Sequence, residues 1–354
     1  AVVAIADAGG ELSFKGQCRD RVFRYTDLPA FLMDPAVLGG RGGDWRPQRA
    51  YLESAVRTAA VGRSSRPLAF GSYEVLETLA RRDRDAEYLA RHTQLQEDQP
   101  YRLRVFSYDP YLPQPELEQR AAQIRRESEA LRRIGPHPNL IVFRSFDAAP
   151  EDPNLFVEVT DWSEQGTLRT LLSSGNPLSM ERKLELAQGI AQGLKAAHDA
   201  SVIHRDLRPE NVLIGSDGSP RLMNFDYARL GASGARTLAQ APRDPAVPRA
   251  YLAPELLNPA VTAVPAADLY ALGVILFEML VGQPLFASPE EAQAQSGAAG
   301  GPTTWGALDV PPQLNDLVRR LTKIKPAERP QSADEVLAEL QTIRKRPSGT
   351  VDEP

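Results

Sequence analysis

Two stretches that lie close together in the sequence carry residues that could do chemistry. Residues 204–213, "HRDLRPENVL", combine a carboxylate, two arginines and an amide in a spacing typical of phosphoryl transfer. That chemistry needs a carboxylate to hold magnesium, and residues 221–229, "RLMNFDYAR", place Asn224 where it would stand. A neutral amide oxygen is a weaker ligand for such a hard cation. The sequence therefore raises the question of whether the chain catalyses this reaction or keeps only its framework.

Composition excludes several classes of protein. The chain has 354 residues, a formal net charge of −5 and one cysteine, Cys18. This length suits one large domain or two, the acidic balance argues against a surface-wide nucleic-acid footprint, and a lone cysteine cannot build a disulfide framework. The longest apolar run, 270–280, is too short to cross a bilayer. We expect a cytoplasmic piece of a longer polypeptide, with no direct binding to nucleic acid or membrane.

The elements that must position these residues are predicted by hydrophobic periodicity. Alternation favours strands at "YEVLETLA", "EYLARHT", "YRLRVFSYD", "NLIVFRSFD" and "LFVEVTD". Amphipathic patterns favour helices at "PELEQRAAQIRRESEALRRIG", "SMERKLELAQGIAQGLKAAHDA", "LNDLVRRLTKI" and "SADEVLAELQTIRK", and "AADLYALGVILFEMLVG" is apolar on nearly every face. A small sheet with one helix, followed by a helical lobe, predicts an α+β two-lobed architecture.

The remaining segments predict a short extension before this architecture and a tail after it. Residues 1–35 favour two strands and a helix in "VFRYTDLPAFLMD", and the Gly- and Arg-rich segment 36–70 favours a linker with a short helix. The two-lobed domain then covers 71–345, divided into lobes at 71–162 and 163–345. Residues 346–354 are expected to be disordered.

The motifs, taken in order, resemble those of a eukaryotic-like protein kinase domain over residues 71–345. In this resemblance "HRDLRPEN" corresponds to the catalytic loop. It implies that Asp206 orients the substrate hydroxyl, that Arg208 reaches the γ-phosphate and that Asn211 holds a metal. Glu127 takes the place of the glutamate on the small-lobe helix.

The resemblance also implies a set of structural residues. Glu255 of "YLAPE" would pair with Arg329, and Asp268 would anchor the catalytic loop from below. A hydrophobic column between the lobes would consist of His204, Phe225, Leu131 and Phe143. Arg205 could receive a phosphate carried by Ser233 or Thr237. Such residues shape the fold whether or not catalysis occurs.

The small lobe departs from the family pattern in its phosphate-binding parts. No glycine lies between Gly71 and Gly135, and Ala80, Arg82 and Asp85 fall at the three expected glycine positions. A side chain at each position blocks the close approach of backbone N–H groups to phosphate, so we expect a solvated, mixed-charge hairpin.

Three further departures affect charge and metal. Arg104 replaces the lysine of the family's "VAIK" strand, where it could form an ion pair with Glu127. Asn224 replaces the metal-binding aspartate, and Asp226 replaces the glycine that follows. Pro248 lacks the hydroxyl that usually contacts the catalytic aspartate. Asn211 and Asn224 are therefore the remaining candidate metal ligands, and we expect Asp226 not to coordinate in their place.

The retained parts hold the fold together, whereas the altered parts would touch phosphate and metal. This division predicts a pseudokinase that acts as a scaffold or allosteric module and requires no cofactor. The alternative is an active serine/threonine kinase that uses Asp206 and Asn211 with unusual metal binding. Thr160, as gatekeeper, with Asp161, Trp162 and Ser163 could still hold an adenine edge, so we expect weak, metal-independent ATP binding or a cleft closed by inward-folded arginines.

Partners follow from the resemblance rather than from particular residues. We expect contacts with other domains of the same polypeptide or with a protein partner, and a homodimer is an open alternative. The segment ending in "DLPAFLMD" faintly resembles the end of a nuclease-related domain fused to bacterial kinase domains, an arrangement found in some phage-defence proteins. An ordinary extension packed on the small lobe is the competing interpretation.

Overall fold

The alternating sequence of the small lobe forms one six-stranded sheet. The computed structural model describes residues 3–6, 11–15, 22–24, 68–81, 85–95, 100–107, 125–150, 152–231, 249–258, 261–295 and 310–345. The strands of this sheet are β4 (Ala69–Phe70), β5 (Tyr73–Arg81), β6 (Asp85–His92), β7 (Tyr101–Ser107), β8 (Phe143–Ala149) and β9 (Asp152–Asp161). Their order across the sheet is β4-β5-β6-β7-β9-β8, and all neighbouring strands are antiparallel.

Strand β7 lies in the middle of the sheet and is buried on both faces. Leu103 is fully buried in the small-lobe core, while Arg102 and Arg104 point to the opposite face because side chains alternate along a strand. The register places Arg104 opposite Glu87 on β6 and opposite Glu158 on β9. Two arginines and two carboxyl groups are thereby brought to one region of the sheet.

The helices form around the long apolar segment predicted from the sequence. We number them α1 (described over 125–134), α2 (Leu168–Ser173), α3 (Met180–Asp199), α4 (Pro265–Val281), α5 (Pro289–Gln295), α6 (Pro312–Leu321) and α7 (Ala333–Lys345). Helix α4 is buried over almost its entire length, and α3 and α6 pack against it. The predicted α+β architecture, a β-rich small lobe followed by a helical large lobe, is confirmed.

Two short two-stranded sheets carry the loops that matter for the site. Strands β10 (Val202–Ile203) and β13 (Arg229–Leu230) pair antiparallel, and so do β11 (Val212–Ile214) and β12 (Pro220–Leu222). The loop 204–211 runs from β10 to β11, and the loop 223–228 runs from β12 to β13. Both of the stretches singled out in the sequence are therefore held at each end by a strand.

The amino-terminal residues form the two strands predicted from the sequence and differ from the prediction in the segment that follows. Strands β1 (Val3–Ala6), β2 (Glu11–Lys15) and β3 (Val22–Arg24) form a three-stranded sheet. The predicted helix in "VFRYTDLPAFLMD" is wrong at 22–24, because these residues pair with β2. The rest of that helix, most of the predicted linker and the carboxyl-terminal tail lie outside the described residues. The small-lobe sheet begins at Ala69, just inside the segment predicted as linker.

Candidate functional site

The loop that contains Asp206 is fixed from below by Asp268. Asp268, buried in the first turn of α4, accepts hydrogen bonds from the backbone amides of His204 at 2.9 Å and Arg205 at 2.8 Å. Arg205 has a left-handed backbone with φ 66°, a strained conformation that the two bonds support. Burial alone would raise the pKa of Asp268, but its hydrogen bond from His198, the nearby His198 and His204 side chains and the backbone hydrogen bond from Arg205 hold that pKa below its usual range.

The three residues predicted to be catalytic lie together. Asn211 Nδ2 donates to the backbone oxygen of Asp206 at 2.7 Å and to its Oδ2 at 2.9 Å. Arg208 Nε lies 3.4 Å from the same carboxylate oxygen. Asp206 and Asn211 are both buried. The geometry of this loop is that of an ordered carboxylate with an amide and a guanidinium beside it.

The side-chain amide of Asn224 and its backbone N–H all form hydrogen bonds within the protein. Its Nδ2 donates to Asn211 Oδ1 at 2.8 Å, its Oδ1 accepts from Arg102 at 3.1 Å, and its backbone N–H donates to Glu127 at 2.5 Å. The backbone is left-handed, with φ 63°, a region that asparagine tolerates better than most residues. The two candidate metal ligands, Asn211 and Asn224, thus bond to each other instead of directing two oxygens at one point.

The predicted pair of Arg104 and Glu127 is present, but the contact of Arg104 with Asp226 is closer. Arg104 donates to the two carboxylate oxygens of Asp226 at 2.9 and 2.5 Å, against 3.3 Å to Glu127. Burial alone would lower the pKa of Arg104, but Asp226 and then Glu127 outweigh burial and hold that pKa well above its usual range. The bidentate geometry is the strong form of a guanidinium–carboxylate pair. Asp226 is therefore a partner of the arginine that replaces the lysine.

Arg102 is a site residue that the sequence analysis did not identify. It stands two positions before Arg104, at the alanine of the "VAIK" pattern, and only 3% of its surface is exposed. Its Nε donates to Glu87 at 3.0 Å, and its NH2 group donates to Asn224. The available signal was the alternation in "YRLRVF", which places two positive charges on one face of a strand whose other face is apolar.

A pair of buried carboxyl groups lies behind the two arginines. Glu127 and Glu158 are both completely buried, and no donor group among the described residues reaches the carboxyl oxygens of Glu158. Burial raises the pKa of Glu158 well above its usual range, and the neighbouring Glu127 raises it further. Burial also raises the pKa of Glu127, and the charge of Asp226 adds to this effect. Burial and the neighbouring carboxyl group thus both disfavour the charged form of Glu158, another residue that the sequence analysis missed.

The residues predicted to be structural make the following contacts. The rings of His204 and Phe225 are in contact, with centroids 4.4 Å apart, and Leu131 and Phe143 pack in the same large core. Glu255 accepts two hydrogen bonds from Arg329, both at 2.8 Å. The guanidinium of Arg329 also lies over the ring of Tyr270. These contacts support the large lobe independently of what the cleft binds.

Part of the segment predicted to hold an adenine edge already forms hydrogen bonds and an ion pair within the protein. Thr160 is buried, and the backbone N–H of Asp161 donates to the carbonyl of Val142 at 3.1 Å. The Asp161 side chain pairs with Arg144 at 2.7 Å, and the Ser163 hydroxyl accepts from the backbone N–H of Gln165. The Asp161 amide is therefore already used within the protein.

Several predictions lie outside the described residues. They concern the hairpin tip at 82–84, the phosphorylation candidates Ser233 and Thr237, and Pro248. Within the part of the chain that the structure describes, no group of three His, Cys, Asp or Glu side chains is arranged to hold a metal ion. Over the same residues, no helix is long and apolar enough to span a membrane.

Comparison with known proteins agrees with this architecture. The serine/threonine-protein kinase PknL of Mycobacterium tuberculosis is 32% identical over 229 residues, which cover 64% of this chain and 55% of PknL. The serine/threonine-protein kinase pkn3 of Myxococcus xanthus is 32% identical over 64% of this chain and 43% of its own length. The probable serine/threonine-protein kinase SCO3848 of Streptomyces coelicolor is 29% identical over 62% of this chain and 33% of its own.

The chain thus spans about half the length, or less, of these curated relatives. The sequence profile of the protein kinase domain matches residues 112–340, well over half of the chain. That match includes the loop of Asp206, the Asn224 segment and the pair of Glu255 with Arg329. The chain belongs to the protein kinase domain family.

Proposed function

We propose that this chain is a pseudokinase domain of a larger bacterial polypeptide, with phosphoryl transfer lost or severely impaired. The observation that carries the proposal is the bidentate pair of Arg104 and Asp226, which lies beside Asn224 at the centre of the cleft. Such a domain would act as a scaffold or allosteric module, through contacts with other domains of its polypeptide, with a protein partner or with a second copy of itself.

The residues present do not fit a magnesium–nucleotide complex. Magnesium prefers carboxylate and phosphate oxygens in near-octahedral geometry. Asn224 offers a neutral oxygen that already accepts a hydrogen bond from Arg102, and Asn211 Oδ1 accepts one from Asn224. The nearest carboxylate along the loop, Asp226, is neutralised by Arg104.

The small lobe adds a second reason. Arg102 fills space that an alanine leaves open in the family pattern, and the absence of glycine from 72 to 134 removes the flexible phosphate-binding turn. Several defects in one site are hard to offset, because positioning and charge neutralisation act together in phosphoryl transfer. ATP binding, if present, would accordingly be weak and independent of metal.

A second candidate, an active serine/threonine kinase, is favoured by one observation. Asp206, Arg208 and Asn211 are all retained and lie in contact, on a loop that Asp268 anchors. The relatives named above are serine/threonine kinases by their names. In this alternative Asp206 would orient the hydroxyl of a protein substrate.

Phosphoryl transfer by the purified chain tests the two candidates directly. The wild type and Asp206→Ala would be incubated with radiolabelled ATP, a generic protein substrate, and either Mg²⁺ or Mn²⁺. We expect equal background labelling in both proteins, with no self-labelling. Labelling by the wild type that disappears in Asp206→Ala would reject the pseudokinase proposal in favour of the active kinase.

A further inference from the structure

Segments of the chain that are 122 residues apart are bonded to each other across the cleft. Arg102 of the small-lobe sheet donates to Asn224 at 3.1 Å, and Arg104 donates to both oxygens of Asp226. Glu127 of α1 accepts from the backbone N–H of Asn224 at 2.5 Å. Three small-lobe side chains therefore hold one short segment of the large lobe.

Two further hydrogen bonds lie along α1 and extend this junction of the small lobe with the large lobe. Arg126 donates to the backbone oxygen of Ala228 at 2.9 Å, and Arg133 donates to the backbone oxygen of Ala200 at 2.7 Å. Both acceptors belong to the large lobe. The junction is therefore continuous from the sheet to the far end of the helix.

The charges at the centre of this junction are shielded from water. Arg102 is 3% exposed, Arg104 7% and Asp226 9%, so salt screens their interactions less than it screens surface pairs. A bidentate pair also fixes the relative orientation of its two partners. Moving the lobes apart would break both arginine contacts together, because the two side chains stand on the same strand.

We propose that Arg102, Arg104, Glu127, Asn224 and Asp226 form a latch that keeps the two lobes closed without any ligand in the cleft. The inference rests on the proposed function, because it assigns to side chains of this protein the bridging role that nucleotide and metal have in a catalytic site. A domain closed in this way would present one constant surface to its partners, whatever the nucleotide concentration.

The distance between the lobes tests the latch. Spin labels would be attached to cysteines introduced at Thr78 on β5 and Gln341 on α7, both exposed, in a Cys18→Ser background. Double electron–electron resonance would be recorded without nucleotide and with ATP and Mg²⁺. For the otherwise unaltered chain we expect one narrow distance distribution that is the same in both conditions.

Latch variants should open the molecule. We expect the double variant Arg102→Gln with Arg104→Gln to give a longer mean distance and a broader distribution. Arg102→Ala, which keeps the pair of Arg104 with Asp226, should give a smaller change in the same direction and serves if the double variant does not unfold cooperatively. The matched control is Arg91→Gln, which removes an arginine whose partner, Glu74, lies in the same sheet.

The outcomes separate the latch from the proposed function. If the arginine variants keep the distance distribution of the unaltered chain, the latch is rejected while the pseudokinase proposal stands. If the unaltered chain is open without nucleotide and closes only with ATP and Mg²⁺, both are rejected. Opening in the arginine variants, with no change in Arg91→Gln, supports the latch.

Discussion

The side chains of the cleft depart from the family pattern mainly in the charges that they bury. Arg102 and Arg104 bring two positive charges onto one face of β7, and Glu127, Glu158 and Asp226 surround them with carboxyl groups. A buried charge is tolerated only when it is paired, so each of these residues depends on the others. This dependence can be tested at the carboxyl group of Glu158, which is the hardest to ionise, and at the closest pair, Arg104 with Asp226.

Replacing Glu158 by glutamine should change how stability depends on pH. The pKa of Glu158 is raised in the folded protein, so the protonated carboxyl stabilises the fold fully below its ordinary value of 4.5. This contribution is lost as the pH rises from there through the folded pKa. The groups that face Glu158 are Glu127, Arg104, Asp226 and Arg102.

Glutamine cannot ionise, so the Glu158→Gln variant should show a smaller decline in the free energy of unfolding across this pH range. Urea denaturation at a series of pH values measures that decline. Glu77→Gln, at an exposed position of β5, is the matched control and should follow the wild type. Parallel curves for the wild type and Glu158→Gln would contradict the proposed protonation of this residue.

Breaking the pair of Arg104 with Asp226 from one side should be costly. Arg104→Met alone leaves the Asp226 carboxylate without its bidentate partner, and Asp226→Leu alone leaves Arg104 with its longer contact to Glu127 at 3.3 Å. Removing one partner of a buried ion pair typically costs about 3–5 kcal/mol of stability. Arg104→Met combined with Asp226→Leu removes both charges, and we expect the double variant to lose less than the sum of the single losses. Denaturant midpoints of the four proteins measure this coupling, and Arg91→Gln should stay within about 0.5 kcal/mol of the wild type. Additive losses would show that the pair contributes nothing.

Among the helices and strands, hydrophobic periodicity was enough to predict those elements that bury one face or their whole surface. The five predicted small-lobe strands and the long helices α3, α4, α6 and α7 all form close to their predicted bounds. The short helices α2 (Leu168–Ser173) and α5 (Pro289–Gln295) were missed, because six or seven residues hold too few turns for a period to show. The strand at 22–24 was missed because its pairing with β2 depends on a tertiary contact.

Helix α3 packs closely against its neighbours at Gly193, and this packing can be tested. A Cβ built on Gly193 would lie 2.7 Å from the backbone oxygen of Asn139 and 3.0 Å from the Leu222 side chain. Helix propensity alone would favour Gly193→Ala by about 1 kcal/mol. We expect the opposite sign, a loss of about 1–3 kcal/mol, because overpacking against backbone cannot be relieved by a rotamer change.

The exposed neighbour Gln192 gives the matched control for this helix. Gln192→Ala should leave stability unchanged or raise it slightly. Thermal melts followed by circular dichroism measure both variants. A Gly193→Ala protein that melts at or above the wild-type temperature would show that α3 does not pack against the Asn139 segment as closely as described.

At the scale of the whole molecule, the cleft joins parts of the chain that no local pattern connects. Sequence motifs were enough to predict that Asp206, Arg208 and Asn211 belong to one site and that Glu255 pairs with Arg329. They were not enough to find Arg102 or the preference of Arg104 for Asp226, because both contacts depend on how the lobes meet across 122 residues of sequence. The altered positions could be recognised individually, whereas their bonding to each other could not.

This bonding predicts that nucleotide binding returns only when the whole set is changed. The variant combining Arg102→Ala, Arg104→Lys, Asn224→Asp and Asp226→Gly restores the family residues at these four positions and removes the latch. We expect it to gain a metal-dependent rise in melting temperature with ATP. Asn224→Asp alone should not gain one, because Arg102 and the Arg104–Asp226 pair remain.

A thermal-shift titration of the unaltered chain with ATP, run with Mg²⁺, with Mn²⁺ and with a chelator, tests the pseudokinase proposal most directly. A ligand that binds the folded state raises its melting temperature as the ligand concentration rises. We expect no metal-dependent shift up to millimolar ATP, because the side chains that would hold metal and phosphate are bonded to one another. A shift that grows with ATP and requires Mg²⁺ or Mn²⁺ would contradict it.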